Sequence, residues 1–223
     1  MNCKGIIFDL DGTLVDSIED IANAMNRVLA ENGFPEHSLA AYKIFVGRGL
    51  LNLTRRALPE TVQDEGTVKA CYQRMTEVYN DHCIEKTKPY DGIMPLLDEL
   101  QSRGFKLAVF SNKADQFTKK IVQVLMPGYF DRVAGMTVEE LKKPNPACAL
   151  QISEDMGVSP GEILYLGDTG IDMETASNAG MYAVGVLWGF RSESELVDAG
   201  AKSILHHPLD LIRLLSSPDL QSI

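Results

Sequence analysis

Gly5-Ile6-Ile7-Phe8-Asp9-Leu10-Asp11-Gly12-Thr13-Leu14 is the stretch whose reading decides the fold. Its apolar opening, Gly5 to Phe8, reads as a strand buried on both faces, the signature of a parallel sheet interior. Two carboxylates, Asp9 and Asp11, follow two residues apart, so on extended backbone they share a face. Gly12 lets the chain turn sharply and approach a ligand closely. Asp-Gly pairs also make ordinary turns, so this stretch alone leaves open both a catalytic strand end and a plain polar turn.

Downstream of it the period changes. Ser17 is placed to cap a helix, with Asp20 in its first turn, and Ile21, Met25, Val28 and Leu29 recur at helical spacing until Gly33. Residues 38–45, 48–58 and 64–83 read as further helices, broken by Gly47, Pro59 and Gly66. Strand signals are weak throughout, so this block reads as a helical lobe inserted after the first strand. Tyr90-Asp91-Gly92 marks the return. Strands are then expected at 106–110, 130–134, 162–166, 181–187 and 203–205, alternating with helices at about 95–104, 114–126, 146–156, 169–179 and 208–216. Such alternation implies a parallel α/β sheet covered on both faces, with ligands bound beyond the carboxyl ends of the strands. Asp9, Asp11, Ser111, Asn112 and Asp168 all fall at those ends.

The chain has 223 residues, 45% of them hydrophobic, enough for one sizeable core or a core with a smaller lobe. A net charge of −10 argues against broad binding to nucleic acid or anionic membranes. It leaves room for a small cationic pocket. Cys3, Cys71, Cys83 and Cys148 form no Cys-x-x-Cys pair and no zinc spacing with histidine, as expected of reduced thiols in a cytoplasmic protein. No window has the apolar length of a membrane span, and the amino terminus has no signal-peptide pattern.

Four motifs now stand in order: Asp9-Leu-Asp11-Gly12-Thr13, Phe-Ser111-Asn112-Lys, Lys143-Pro-Asn-Pro and Gly-Asp168-Thr-Gly-Ile-Asp172. Together they closely resemble the haloacid dehalogenase superfamily, in particular its phosphoglycolate phosphatase-like members, over essentially the whole chain. The resemblance implies a Rossmann-like core of residues 1–15 and 88–223 with a helical cap of residues 16–87. It implies a magnesium-dependent phosphatase acting on a small phosphorylated metabolite, 2-phosphoglycolate first among candidates. Asp9 is then the nucleophile and Asp11 the acid and base. Asp9, the Asp11 backbone carbonyl and Asp168 hold Mg2+, with Asp172 in the outer shell. Ser111 and Asn112 donate to phosphate oxygens, the latter through its backbone or side-chain amide. Lys143 neutralises the phosphate, and Gly12 and Thr13 serve the anion or its supporting turn. Phe45-Val46-Gly47-Arg48-Gly49-Leu50 resembles the cap segment that faces the active site in these phosphatases, which implies that Arg48 meets a substrate carboxylate or second phosphate, with a solvated arginine as the alternative. The adjacent Lys142 is expected at the surface.

Three other readings compete. A beta-phosphoglucomutase-like mutase retains the phosphoryl group, but Gly47-Arg48-Gly49 looks more phosphatase-like. A dehalogenase needs neither magnesium nor the second aspartate. A non-enzymatic phospho-metabolite sensor has no need of Asp9 and Asp11 together. The pattern favours neither a monomer nor a dimer.

Overall fold

In the computed structural model, which describes residues 2–217, the first strand β1 (Gly5–Phe8) lies inside a six-stranded sheet. The ends of the expected core, residue 1 and residues 218–223, lie outside the described residues. After β1 come a two-residue strand β2 (Val15–Asp16) and four helices: α1 (Ile18–Glu31), α2 (Leu39–Phe45), α3 (Leu50–Ala57) and α4 (Glu65–His82). A second short strand, β3 (Lys88–Pro89), pairs antiparallel with β2 and closes the excursion. The remainder is α5 (Ile93–Ser102), β4 (Lys106–Ala114), α6 (Asp115–Leu125), β5 (Arg132–Met136), α7 (Ala147–Met156), β6 (Ile163–Gly167), α8 (Gly170–Asn178), β7 (Tyr182–Val186), α9 (Glu193–Asp198), β8 (Ser203–Leu205) and α10 (Asp210–Leu215).

The sheet runs β5-β4-β1-β6-β7-β8, and every pairing is parallel. Alternate residues of each strand serve opposite faces. Ile6 and Phe8 pack with Leu107, Val109, Leu164 and Leu166 against α5 and α6. Ile7, Ala108, Phe110, Ile163 and Tyr165 pack against α7 and α8 on the other side. Burial on both faces is why these strands are apolar without alternation. The fold is therefore a doubly covered α/β sheet of the Rossmann-like kind.

The chain leaves β1 for β4 on one side and later returns to β6 on the other. This reversal is the switch point at which such sheets bind ligands. Phe8 pairs with both Val109 and Leu166, so β1 and β6 reach their carboxyl ends at nearly one level while β4 runs on past it to Ala114. The helices of residues 18–82 extend the same apolar cluster, through Met25, Val28, Tyr42, Leu53, Met75 and Tyr79. They are tied to the second crossing by Asp20. This buried carboxylate accepts from the Thr87 backbone (2.8 Å), the Thr87 hydroxyl (2.7 Å) and the Lys86 backbone (3.0 Å).

Several expectations need correction. β4 continues to Ala114, well past residue 110, with a register shift between Phe110 and Ala114. Ser17 occupies the N-cap position of α1 but makes no cap hydrogen bond, because its hydroxyl is turned to Asp11. Gly66 does not break a helix. It lies in the first turn of α4, which Asp64 caps through Thr67 N–H. None of the four cysteines is in a disulfide, and among the described residues no helix is long and apolar enough to cross a membrane.

Candidate active site

Asp9 leaves the end of β1 and its N–H donates to Leu166 O at 2.9 Å, which fixes the backbone against β6. A tight turn follows. Gly12 N–H donates to Val15 O, and Leu14 and Val15 N–H both donate to Leu10 O. Gly12 has φ +88°, and a Cβ there would come within 2.2 Å of Asp168 Oδ2. Both the left-handed backbone and the close approach therefore require glycine. Gly189 is constrained by close approach alone, since a Cβ would sit 2.3 Å from Asp168 Cβ and 2.4 Å from Gly12 O. Gly12 and Thr13 thus serve the turn: the Gly12 amide is engaged within it, and the Thr13 hydroxyl faces Asp168 Oδ1 at 3.4 Å.

Two buried lysines face three buried aspartates. Lys143 Nζ lies 2.8 Å from Asp9 Oδ1 and 2.6 Å from Asp172 Oδ1. Lys113 Nζ lies 2.8 Å from both oxygens of Asp11, and Ser17 Oγ donates to Asp11 Oδ1 at 2.5 Å. The ammonium of Lys113 also sits over the Tyr79 ring, 4.8 Å from its centroid. Burial alone would lower each lysine. The facing carboxylates outweigh it, Asp11 for Lys113 and Asp172 with Asp9 for Lys143, so both are raised and stay charged.

Charge is not balanced on the Lys143 side. Asp9, Asp168 and Asp172 bring carboxylate oxygens within 4.8 Å of one another. Burial pushes Asp9 up to about 7 against the pull of Lys143, with Asp172 and Asp11 adding to the rise. Burial, then Asp172 and Asp9, raises Asp168 well above the usual carboxylate range. Asp9 Oδ1 touches the Lys143 ammonium as a charge contact and has no directed hydrogen bond among the described residues. Three crowded buried carboxylates with one ammonium directly between two of them fit a hard divalent cation, which takes oxygen ligands. Asp172 is less free to bind one directly. Its Oδ2 accepts from the Thr169 hydroxyl (2.6 Å) and amide (3.1 Å) in a capping box at the start of α8, and its Oδ1 meets Lys143.

Ser111 is buried at the pocket wall, and its Oγ accepts from Lys113 N–H at 3.2 Å. The Asn112 side chain is fully engaged. Its Oδ1 accepts from Lys143 N–H at 2.7 Å, while Nδ2 donates to Gly47 O at 3.0 Å and Lys143 O at 3.3 Å. Of the two ways in which Asn112 is expected to meet phosphate, the side-chain amide is already engaged by backbone carbonyls. Lys142 is paired with Glu139 outside the pocket. Arg48 is exposed and lines a separate groove with Glu174, Glu195 and Asp198.

The pocket between sheet and helices has a free volume of about 30 Å3. Asp9, Asp11, Ser111, Asn112, Lys113, Lys143 and Thr169 form its polar floor, under Ile21, Val46, Gly47, Gly49, Leu50 and Leu53. Two residues without an expected role join this architecture. Lys113 is one; had β4 been extended two residues past Ser111, period-two alternation would have placed both on one face. The other is Arg191, which donates to the carbonyls of Lys43, Ile44 and Val46 at the end of α2. It follows Trp188, whose indole N–H donates to Thr13 O at 2.9 Å, and Phe190, whose N–H donates to Asp168 Oδ2 at 2.8 Å.

A family model described as haloacid dehalogenase-like hydrolase matches residues 6–186. The chain belongs to the haloacid dehalogenase-like hydrolase family. It is 36% identical to a phosphoglycolate phosphatase of Aquifex aeolicus over 218 residues, 95% of this chain and 96% of that protein. A phosphoglycolate phosphatase of Pseudomonas putida is 33% identical over 205 residues, 90% of this chain and 75% of the relative. Among solved structures, a chain from Lactobacillus delbrueckii subsp. bulgaricus superposes with a TM-score of 0.89 at 30% identity, covering 96% of this chain and 99% of its own.

Proposed function

We propose that this haloacid dehalogenase-like hydrolase is a magnesium-dependent phosphatase that cleaves a small phosphate monoester through an aspartyl-phosphate on Asp9. The proposed substrate is 2-phosphoglycolate, the ester named by the Aquifex and Pseudomonas relatives. The observation that carries the reading is the pairing of two buried aspartates with two different lysines at one strand end. Two carboxylates in different surroundings suit a nucleophile and a proton carrier.

In the proposed reaction an Asp9 carboxylate oxygen attacks phosphorus and the bond from phosphorus to the ester oxygen breaks. Asp11, which takes up a proton in the enzyme–ester complex, gives it to the departing alkoxide, which leaves as the alcohol. Water then attacks the aspartyl-phosphate and Asp11 takes one of its protons. The acyl phosphate opens to inorganic phosphate and the Asp9 carboxylate. In this reading Ser111 Oγ, the Asn112 amide and the Lys143 ammonium bind the phosphoryl oxygens. The Asp9 and Asp168 carboxylates and the Asp11 carbonyl would hold the cation, with Asp172 orienting the outer shell. When bound, the cation neutralises phosphoryl charge and offsets the crowding of these carboxylates. In this reading residues 16–87 act as a cap that excludes water from a core of residues 1–15 and 88–223.

The test is phosphate release from a panel of small monoesters with magnesium and with chelator. Magnesium-dependent release, fastest with 2-phosphoglycolate, is the expected result. Release that survives complete chelation contradicts the cation. Interconversion of sugar phosphates without net release contradicts hydrolysis.

A further inference from the structure

The phosphatase reading leaves open what meets the organic end of the ester. The helical side of the pocket offers only apolar side chains and backbone: Ile21, Val46, Gly47, Gly49, Leu50 and Leu53. Arg48, the cation of the Gly-Arg-Gly segment, points instead to an exposed groove beside three carboxylates. Among the described residues lining the pocket, the cations are Lys143 and Lys113. Lys143 is held between Asp9 and Asp172 at the reacting end. Lys113 meets one carboxylate, Asp11, and lies over the Tyr79 ring, while Asp11 has a second partner in Ser17.

We propose that Lys113 is the specificity residue of this site, reading an anionic group, a carboxylate, on the leaving group of the substrate. A carboxylate enclosed beneath an apolar wall needs a paired cation, or its desolvation opposes binding. Lys113 meets that need by exchanging one carboxylate for another, Asp11 for the ligand. Its flexible stem and compact ammonium suit such an exchange. Asp11 keeps the Ser17 hydroxyl when the ammonium turns. Tyr79 stays beneath it, a ring fully buried in α4 and packed edge-on against Phe117 at 5.3 Å, and offers the charge a face that does not compete as an anion. The site therefore favours esters whose alcohol portion is a small hydroxy acid over esters of neutral alcohols of the same length.

This inference rests on the phosphatase reading, and its test separates the two. Two esters are compared by their kcat/KM values: 2-phosphoglycolate, and 2-hydroxyethyl phosphate, which replaces the carboxylate by a neutral hydroxymethyl group. The parent enzyme is expected to prefer the carboxylate ester by about 30-fold or more. Lys113→Met cuts that ratio at least about ten-fold, Lys113→Arg restores part of it, and Arg48→Met leaves it within about three-fold. If Lys113→Met does not fold, Lys113→Gln, which can still donate to Asp11, is read in the same way. A ratio that survives loss of Lys113 or collapses on loss of Arg48 overturns the assignment, as does a parent with no preference, and in those cases the phosphatase reading stands. A parent that hydrolyses neither ester overturns both.

Discussion

The two lysine–aspartate pairs at the end of β1 look alike but carry different charge. On the Lys113 side one ammonium meets one carboxylate, which also has a hydroxyl partner in Ser17. On the Lys143 side one ammonium stands against Asp9 and Asp172 directly and Asp168 close by. The first pair is neutral and locally satisfied. The second carries excess negative charge, with Asp9 and Asp168 both raised, by burial first and then by neighbouring carboxylates. Buried groups that repel one another persist in a fold when a ligand uses them. In the proposed reading the Lys143 side holds the cation and the nucleophile, and the Lys113 side serves acid–base work and leaving-group recognition.

The largest effect expected is on turnover. Asp9→Asn, nearly isosteric, should lower kcat by about four orders of magnitude or more while the circular dichroism spectrum stays native. Substantial residual turnover would assign the nucleophile elsewhere. Lys143→Met removes the ammonium that pairs with both Asp9 and Asp172. In chelator it should cost about 3–5 kcal/mol of stability by denaturant unfolding, the usual penalty for stranding a buried charge. If magnesium does not recover part of that loss, the charge imbalance is not what the metal relieves.

The same imbalance has a pH signature. Asp9 is raised from 3.8 to about 7 in the folded chain, so the folded state binds the proton more tightly than the unfolded state. The stability this proton contributes is fully present below about 4 and is lost as pH rises to about 7. In chelator, therefore, the melting temperature of the parent should fall relative to Asp9→Asn across that window. Magnesium should close the gap at pH 8, and a parallel pair of curves would contradict the account.

Smaller effects separate support from chemistry. Gly189→Ala drives a methyl group into Asp168 and the Gly12 carbonyl. Magnesium affinity should weaken by about 10–100-fold, as when other supporting contacts of metal ligands are lost. Ser17→Ala removes one hydrogen bond from the satisfied pair. It should cost about 1 kcal/mol of stability and only a few-fold in kcat. A larger loss from Ser17 than from Gly189 would reverse the ranking of the two sides.

Much of this was legible in the sequence because its signals are local. The unbroken apolar run of β1 exists because both faces of the strand are covered, and Asp9 and Asp11 follow within three residues. Asp168 follows β6 in the same way. The partners were less legible. Lys113 meets Asp11 across 102 residues, and only because β4 runs on past Phe110. Arg191 grips carbonyls of α2 from nearly 150 residues away, and backbone acceptors leave no mark in sequence. Arg48 turns outward because the rotation of the loop ahead of α3 is set by tertiary packing, with positive φ at Gly47 and Gly49. Strands β2 and β3 have two residues each, too few to show a period.

The central claim is that Asp9, on the overcharged side, takes the phosphoryl group. Acid-quenching the enzyme with 2-phosphoglycolate and magnesium, followed by mass spectrometric mapping of acyl phosphate, tests it most directly. The account predicts phosphoryl label on the peptide containing Asp9 and none when chelator replaces magnesium. Label on Asp11 or another side chain, or turnover with no phosphoryl-enzyme at any quench time, would contradict it.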